Sequence, residues 1–231
     1  MSGHCPLAPA APNPLDVALV DVEADSELVR FHSPAYAANA FNPNAGKKME
    51  DAAAGARFSP FSVANGINVP TTYAGTTVLA AALESVFHDV PHIPNPPYPA
   101  SKLSHFVMSR LRARRTLQIL ELINPQLRQI FVPGRSDSIT EGELIHTKAD
   151  EYPATRTWAR YFHQSLPDLQ GLAWRPRLGG EGFSYVFFGD RVAEDDFVVV
   201  DSAMPIHHGS GRDLIDTLAA RAHIKIIDVS D

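Results

Sequence analysis

The stretch LQGLAWRPRLGGEGFSYVFFGDRVAEDDFVVVD, residues 169–201, reads as three strands in succession: Leu169–Trp174, Tyr185–Phe188 and Phe197–Asp201. Each run is rich in branched and aromatic residues, and Gly, Pro and charged residues part them instead of a helical period. Consecutive strands without intervening helices favour an α+β fold with a mixed, mostly antiparallel sheet over a doubly wound one. Toward the C-terminus the pattern predicts a helix at Arg212–Ala222 and a last strand at Ile224–Val229. Toward the N-terminus, EYPATRTWARYFHQSL (151–166) has apolar residues at 154, 158, 161, 162 and 166, a helical period. His105–Met108 and Arg115–Leu122 alternate like strands, and Asn124–Phe131 reads as a helix of one or two turns.

In the N-terminal half, Leu28–His32 alternates as a half-buried strand, and LDVALVDV (15–22) fits a strand or a short helix. Residues 33–56 lack a period and read as a long surface loop. NVPTTYA (68–74) predicts a strand. Gly75 separates it from a helix over 76–88, with a Thr N-cap and apolar residues at 79, 83, 86 and 87, stopping near Val90 because Pro91 cannot continue it. PHIPNPPYPASK (91–102) reads as an exposed, extended linker. Residues 1–14, rich in Ala and Pro, are expected to form a disordered tail ahead of one domain over 15–231.

The 231 residues are 45% hydrophobic and 20% charged, which suits one globular domain. Twenty Lys and Arg against 26 Asp and Glu give a formal net charge of −6, which argues against direct nucleic-acid binding. The basic run Arg110–Arg115 is read as a solvated connection. One cysteine, Cys5, gives neither a disulfide framework nor a thiolate metal cluster. No apolar run reaches membrane-spanning length, and the start of the chain does not read as a secretory signal, so a cytoplasmic protein with no membrane contact is expected. His88 and His92 have the i, i+4 spacing of helical metal ligands, but Pro91 intervenes and no third ligand follows, so no metal is expected. His207-His208 beside Gly209-Ser210-Gly211 reads as a solvated loop. The elbow G-x-S-x-G and the phosphate loop G-x-x-x-x-G-K-[ST] are both missing.

Glu84 is the residue out of place. It lies within the apolar run LAAALESVF, beside Leu83, Val86 and Phe87. A surface helix Glu is one reading. The other is a carboxylate facing a pocket, with Arg30 and Arg57 from separate segments and Tyr73 as an aromatic wall. Such a set suits an anionic substrate bearing hydroxyls, because guanidiniums fork onto phosphates and a carboxylate accepts from ribose.

Taken in order, Leu28-Val29-Arg30, Gly55-Ala56-Arg57-Phe58-Ser59, Val69–Thr76, Ala81-Ala82-Leu83-Glu84, Tyr152–Ala159, Gly171–Arg177 and Phe187–Val192 resemble the RES domain family. The resemblance implies a compact fold similar to bacterial ADP-ribosyltransferase toxins and an activity that breaks NAD, with inorganic phosphate as a second co-substrate if the bond is phosphorolysed and no resident cofactor. It also implies the toxin of a toxin–antitoxin pair, restrained by an antitoxin with an Xre-like region, and leaves a homo-oligomer open. Carried over by position, Arg30 and Arg57 would be the guanidiniums of the NAD pocket, Tyr73 the aromatic at the nicotinamide end and Glu84 the essential carboxylate. Phe58 would offer a second ring for stacking.

Cleavage of the nicotinamide–ribose bond passes through an oxocarbenium-like state, which a carboxylate facing the sugar stabilises. Nicotinamide leaves as a neutral molecule and needs no general acid. The chain departs from the family at Pro176, where a Ser is usual; Ser184 and Thr155 are the hydroxyls available to substitute. Two other readings keep the pocket: transfer of ADP-ribose to a protein side chain, and a nucleotide-binding or interaction module that has lost turnover.

Overall fold

A short, branched run becomes a strand only where neighbours cover it, and the computed structural model, which describes residues 4–63, 66–91, 93–179 and 181–228, shows which runs are covered. In chain order the elements are β1 (Val20–Val22), β2 (Glu27–His32), β3 (Thr71–Gly75), α1 (Val78–Leu83), β4 (Pro97–Pro99), β5 (Val107–Ala113), β6 (Leu117–Glu121), α2 (Asn124–Leu127), α3 (Glu141–Ile145), α4 (Tyr152–Ser165), β7 (Gly171–Trp174), β8 (Ser184–Phe188), β9 (Phe197–Pro205), α5 (Gly209–Arg221) and β10 (Lys225–Ile227). The main sheet runs β1-β6-β7-β8-β3-β2-β5-β9, and β10 pairs with β4 apart from it. Within the main sheet the β6–β7 pair is parallel, as its crossover through α4 requires, and the other described pairs are antiparallel. This is the α+β fold with a mixed, mostly antiparallel sheet in one compact domain.

Strand alternation divides the core. One face of β2 sends Val29 and Phe31 against Leu79, Ala82 and Leu83 of α1 and Ile215 of α5. On the same sheet face, Leu172, Trp174, Val186 and Phe188 pack against Trp158 and Phe162 of α4. The opposite face gathers Leu28, Leu111, Ile119 and Phe187. Val22 from one edge strand and Phe197 from the other join that last cluster, so the sheet is curled with its two edges turned toward one interior.

β2 and β3 pair only at Val29 and Gly75. Beyond that point the two strands splay, and the divide between the α1 core and the α4 core falls there. Gly75 is the hinge of this arrangement: a Cβ on it would meet the Ala81 backbone nitrogen at 2.6 Å, so α1 lies directly on the strand.

Several sequence expectations are corrected. The helix over 76–88 is only Val78–Leu83, capped by Thr77, whose hydroxyl accepts from the Ala80 N–H at 3.0 Å. Phe87 N–H then donates to Ala82 O at 2.9 Å, and this turn swings Val86 and Phe87 into the core. Glu84 is therefore the helix C-cap and not a mid-helix residue. The Pro-rich linker contains β4, and Tyr98 and Leu103 are buried.

The basic run is the end of β5: Leu111 and Ala113 face the core, while Arg110 and Arg112 face Glu27 and Asp25. Residues 33–56 form a loop, but Asn44 is buried in it and donates to Val69 O. Where a disordered tail was expected, residues 4–13 run along α4: Cys5 is buried, Trp158 Nε1 donates to Pro6 O at 2.7 Å, and Ala8 N–H donates to Thr157 Oγ1. Of LDVALVDV only Val20–Val22 is a strand. α3 was not foreseen, although its capping box, Thr140 with Glu143, is a sequence signal for a helix start.

Candidate active site

Arg57 lies in the connection between β2 and β3, and α4 fixes its backbone. The Thr155 hydroxyl donates to Arg57 O, and Arg156 Nε donates to Ala56 O at 3.0 Å. Arg156 is itself buried and clamps Asp51 O and Met49 O with Nη1. Two successive carbonyls are thus anchored to one helix turn, and the Arg57 side chain reaches the C-terminal end of α1.

There its Nη1 donates to Glu84 Oε2 at 2.8 Å, in a pair whose side chains are 4% and 9% exposed. Glu84 Oε1 accepts from the backbone N–H of Arg177 at 3.0 Å. Arg57 Nε reaches Thr147 Oγ1 at 3.4 Å, and its guanidinium lies 5.5 Å from the centre of the Tyr152 ring. Burial alone lowers the Arg57 pKa, but the facing Glu84 carboxylate more than reverses this and holds it above the ordinary guanidinium value. The carboxylate is therefore fixed in place by a full charge on one oxygen and a peptide dipole on the other.

Tyr73 lines a small chamber with Glu84, Phe31, Ser85 and Ser184. Its hydroxyl is 3.0 Å from Ser59 Oγ, and burial pushes its pKa up to about 12, so it is a neutral phenol at physiological pH. Ser184 donates to Ala80 O at 3.2 Å, which ties β8 to α1. On the other side of the ion pair lies a cleft of ≈ 610 Å³, whose walls include His88, His146, Lys148, Tyr152 and Arg177. Burial lowers the His88 pKa, opposed in part by Asp89 and Glu84, so its imidazole is neutral at pH 7.

The expected residues do not all converge. Glu84, Arg57, Tyr73 and Ser184 come together. Arg30 does not: it points to the opposite sheet face, where Nη1 donates to Ala38 O at 2.6 Å and Ala40 O at 2.7 Å. Burial brings its pKa down to about 10. The alternation of a strand decides this, since Val29 and Phe31 occupy the α1 face. Phe58 is fully buried edge-on to Trp174, with its centroid 5.1 Å away, and has no exposed face on which a ligand could stack. Thr155 is fully buried and serves Arg57 O.

Sequence reasoning missed Arg177, Tyr152 and Arg156. Arg177 and Tyr152 stood in the segments GLAWRPRL and EYPATRTW as spacing alone, without a mark of their role. His92 lies outside the described residues. Among the described residues no group of three or more His, Cys, Asp or Glu side chains could hold a metal ion, and no helix is long and apolar enough to cross a membrane.

The RES domain family model matches residues 27–207, a span that contains both members of the buried ion pair. The chain belongs to the RES domain family. No curated protein matches this RES domain in sequence. In fold it is similar to a chain of the crystal structure of the M. tuberculosis MbcT–MbcA toxin–antitoxin complex, with a TM-score of 0.51 and 15% identity. That similarity covers 87% of this chain and 92% of the other.

Proposed function

We propose that this RES domain breaks the nicotinamide–ribose bond of NAD, releasing nicotinamide and passing the ADP-ribosyl group to water or to inorganic phosphate. The observation that carries the reading is the Glu84 carboxylate, buried and held by Arg57 and the Arg177 N–H beside a cleft of ≈ 610 Å³. That volume lies in the range of small-molecule sites. As the bond stretches, positive charge grows on the sugar ring, and a prepositioned carboxylate stabilises it more than it stabilises the ground state. Arg57 holds Glu84 in orientation, while Tyr73 and Tyr152 supply aromatic surface on the two sides of the pair. Where the family usually has a Ser hydroxyl this chain has Pro176, and the neighbouring Arg177 N–H gives the carboxylate a donor from the same segment.

The likeness to a chain of a toxin–antitoxin complex supports a wider proposal: the domain acts as a toxin in a bacterial cytoplasm and is restrained by an antitoxin of the Xre-associated kind. Pure protein incubated with NAD, with and without inorganic phosphate, is expected to release nicotinamide. Phosphate dependence assigns phosphorolysis, and no release from folded protein under either condition overturns the reading. Label from NAD appearing on a lysate protein would instead assign ADP-ribosyl transfer.

A further inference from the structure

We propose that Arg177 and Lys148 hold the diphosphate of the dinucleotide on the cleft wall next to Glu84, an assignment that rests on the NAD reading above. The diphosphate of such a substrate hangs from the same ribose whose anomeric carbon becomes cationic. With Glu84 facing that sugar, the phosphates fall one sugar ring away and need cations there. Arg57 brings them no uncompensated charge, because its guanidinium is paired with Glu84 through Nη1 and its Nε donates to Thr147. Arg30 cannot serve them either, since it is on the other face of the sheet, bonded to Ala38 and Ala40.

The Arg and Lys side chains on the cleft wall, among the described residues, are Arg177 and Lys148. Arg177 is placed by its own backbone, whose N–H touches Glu84 Oε1 at 3.0 Å. Its Nη2 donates to His88 O at 3.3 Å and Val90 O at 3.0 Å, which fixes the guanidinium plane against the turn after α1. Among the described residues these Nη2 bonds are the ones its side chain makes, and the N–H groups on Nε and Nη1 are left for an anion. Lys148 is exposed in the α3–α4 connection, next to His146 and Thr147 on the same cleft. The acidic residue of this cleft, Asp89, lies 3.1 Å from His88 Nε2 and is 73% exposed, so solvent screens it from the wall.

Preorganised by two carbonyls, Arg177 would contribute directional bonds, and Lys148 a mobile point charge. The test is the affinity for ADP-ribose, which carries the diphosphate but has no bond to cleave, measured by calorimetry on the full chain. R177Q and K148Q are each expected to weaken ADP-ribose by about tenfold or more, in line with charge-assisted bonds, and R177K to recover part of the loss. Unchanged affinity in R177Q, or no ADP-ribose binding by the folded wild type, overturns the assignment. Should R177Q fail to fold, K148Q decides, because Lys148 is exposed, and an unchanged affinity there overturns it. Nicotinamide release by the wild type is read separately, so loss of the NAD reading and loss of this assignment give different results.

Discussion

At the residue scale the molecule turns on one buried ion pair. Taking two charges out of water costs several kcal/mol per ion, and the pair is kept only because each partner also satisfies the other's hydrogen bonds. Glu84→Gln is isosteric but leaves the Arg57 charge uncompensated at a site 4% exposed. Two outcomes are expected from this change. Nicotinamide release falls by about a hundredfold or more, the usual worth of one transition-state electrostatic group. Denaturant unfolding shows a stability loss of about 3 kcal/mol, as for a broken buried pair. Equal release by a folded variant would remove Glu84 from the chemistry, and unchanged stability would show that Arg57 finds another partner. The residue types of this site were legible in the sequence because Glu within an apolar run is costly. The role of Arg30 was not, because sequence places a residue on a strand without saying which face is covered by α1.

At the scale of elements, the site is made by the way α1 lies on β3. The contact needs Gly75, where a Cβ would meet Ala81 nitrogen at 2.6 Å and Ala81 Cα at 3.0 Å. Gly75→Ala is therefore expected to push α1 off the strand, costing about 1 to 3 kcal/mol as overpacking does. It should also shift Glu84 from Arg57 and lower nicotinamide release. Thermal unfolding and the release assay check both, and a variant with wild-type values in each would show that α1 can slide without moving its C-cap.

Most elements were legible from period and composition, α4 most plainly, since its stripe at 154, 158, 161 and 162 is the face buried on the sheet. The short extent of α1 was not legible. Its apolar pattern continues through Val86 and Phe87, and both are buried, but they reach the core through a turn and not through another helical turn. Hydrophobic spacing reports burial, and a tight turn can meet the same spacing as a helix. The Pro-rich segment misled for a related reason: Pro97–Pro99 forms a strand only because β10, more than a hundred residues later, offers it an edge.

On the scale of the whole molecule, acid sensitivity follows from histidines held neutral. His32 is buried on β2, with Nδ1 3.0 Å from Ser33 O and Nε2 2.9 Å from Ser109 Oγ, and burial followed by the nearby Arg30 charge lowers its pKa. The His88 pKa is lowered as well, burial being the largest cause. For a histidine depressed in the folded state, the unfolded chain takes up protons first. Stability is then full above the unfolded value of about 6.5 and declines as pH falls below it. The melting temperature is expected to be lower near pH 5.5 than near pH 7.5, with a smaller drop in His32→Gln. A melting temperature that holds or rises on acidification would contradict the assignment of these histidines as neutral in the fold. The sequence by itself determined the α+β class, most strands and helices, and Glu84 as the residue out of place, because periodicity and the cost of burying charge are local properties that survive in a linear chain. Only the tertiary structure decided that Arg30 turns away, that Arg177 and Tyr152 stand at the cleft, and that residues 4–13 are bound to α4. Those outcomes depend on which strand face is covered and which distant backbone groups need partners, and such pairings exist only once the chain has closed on itself.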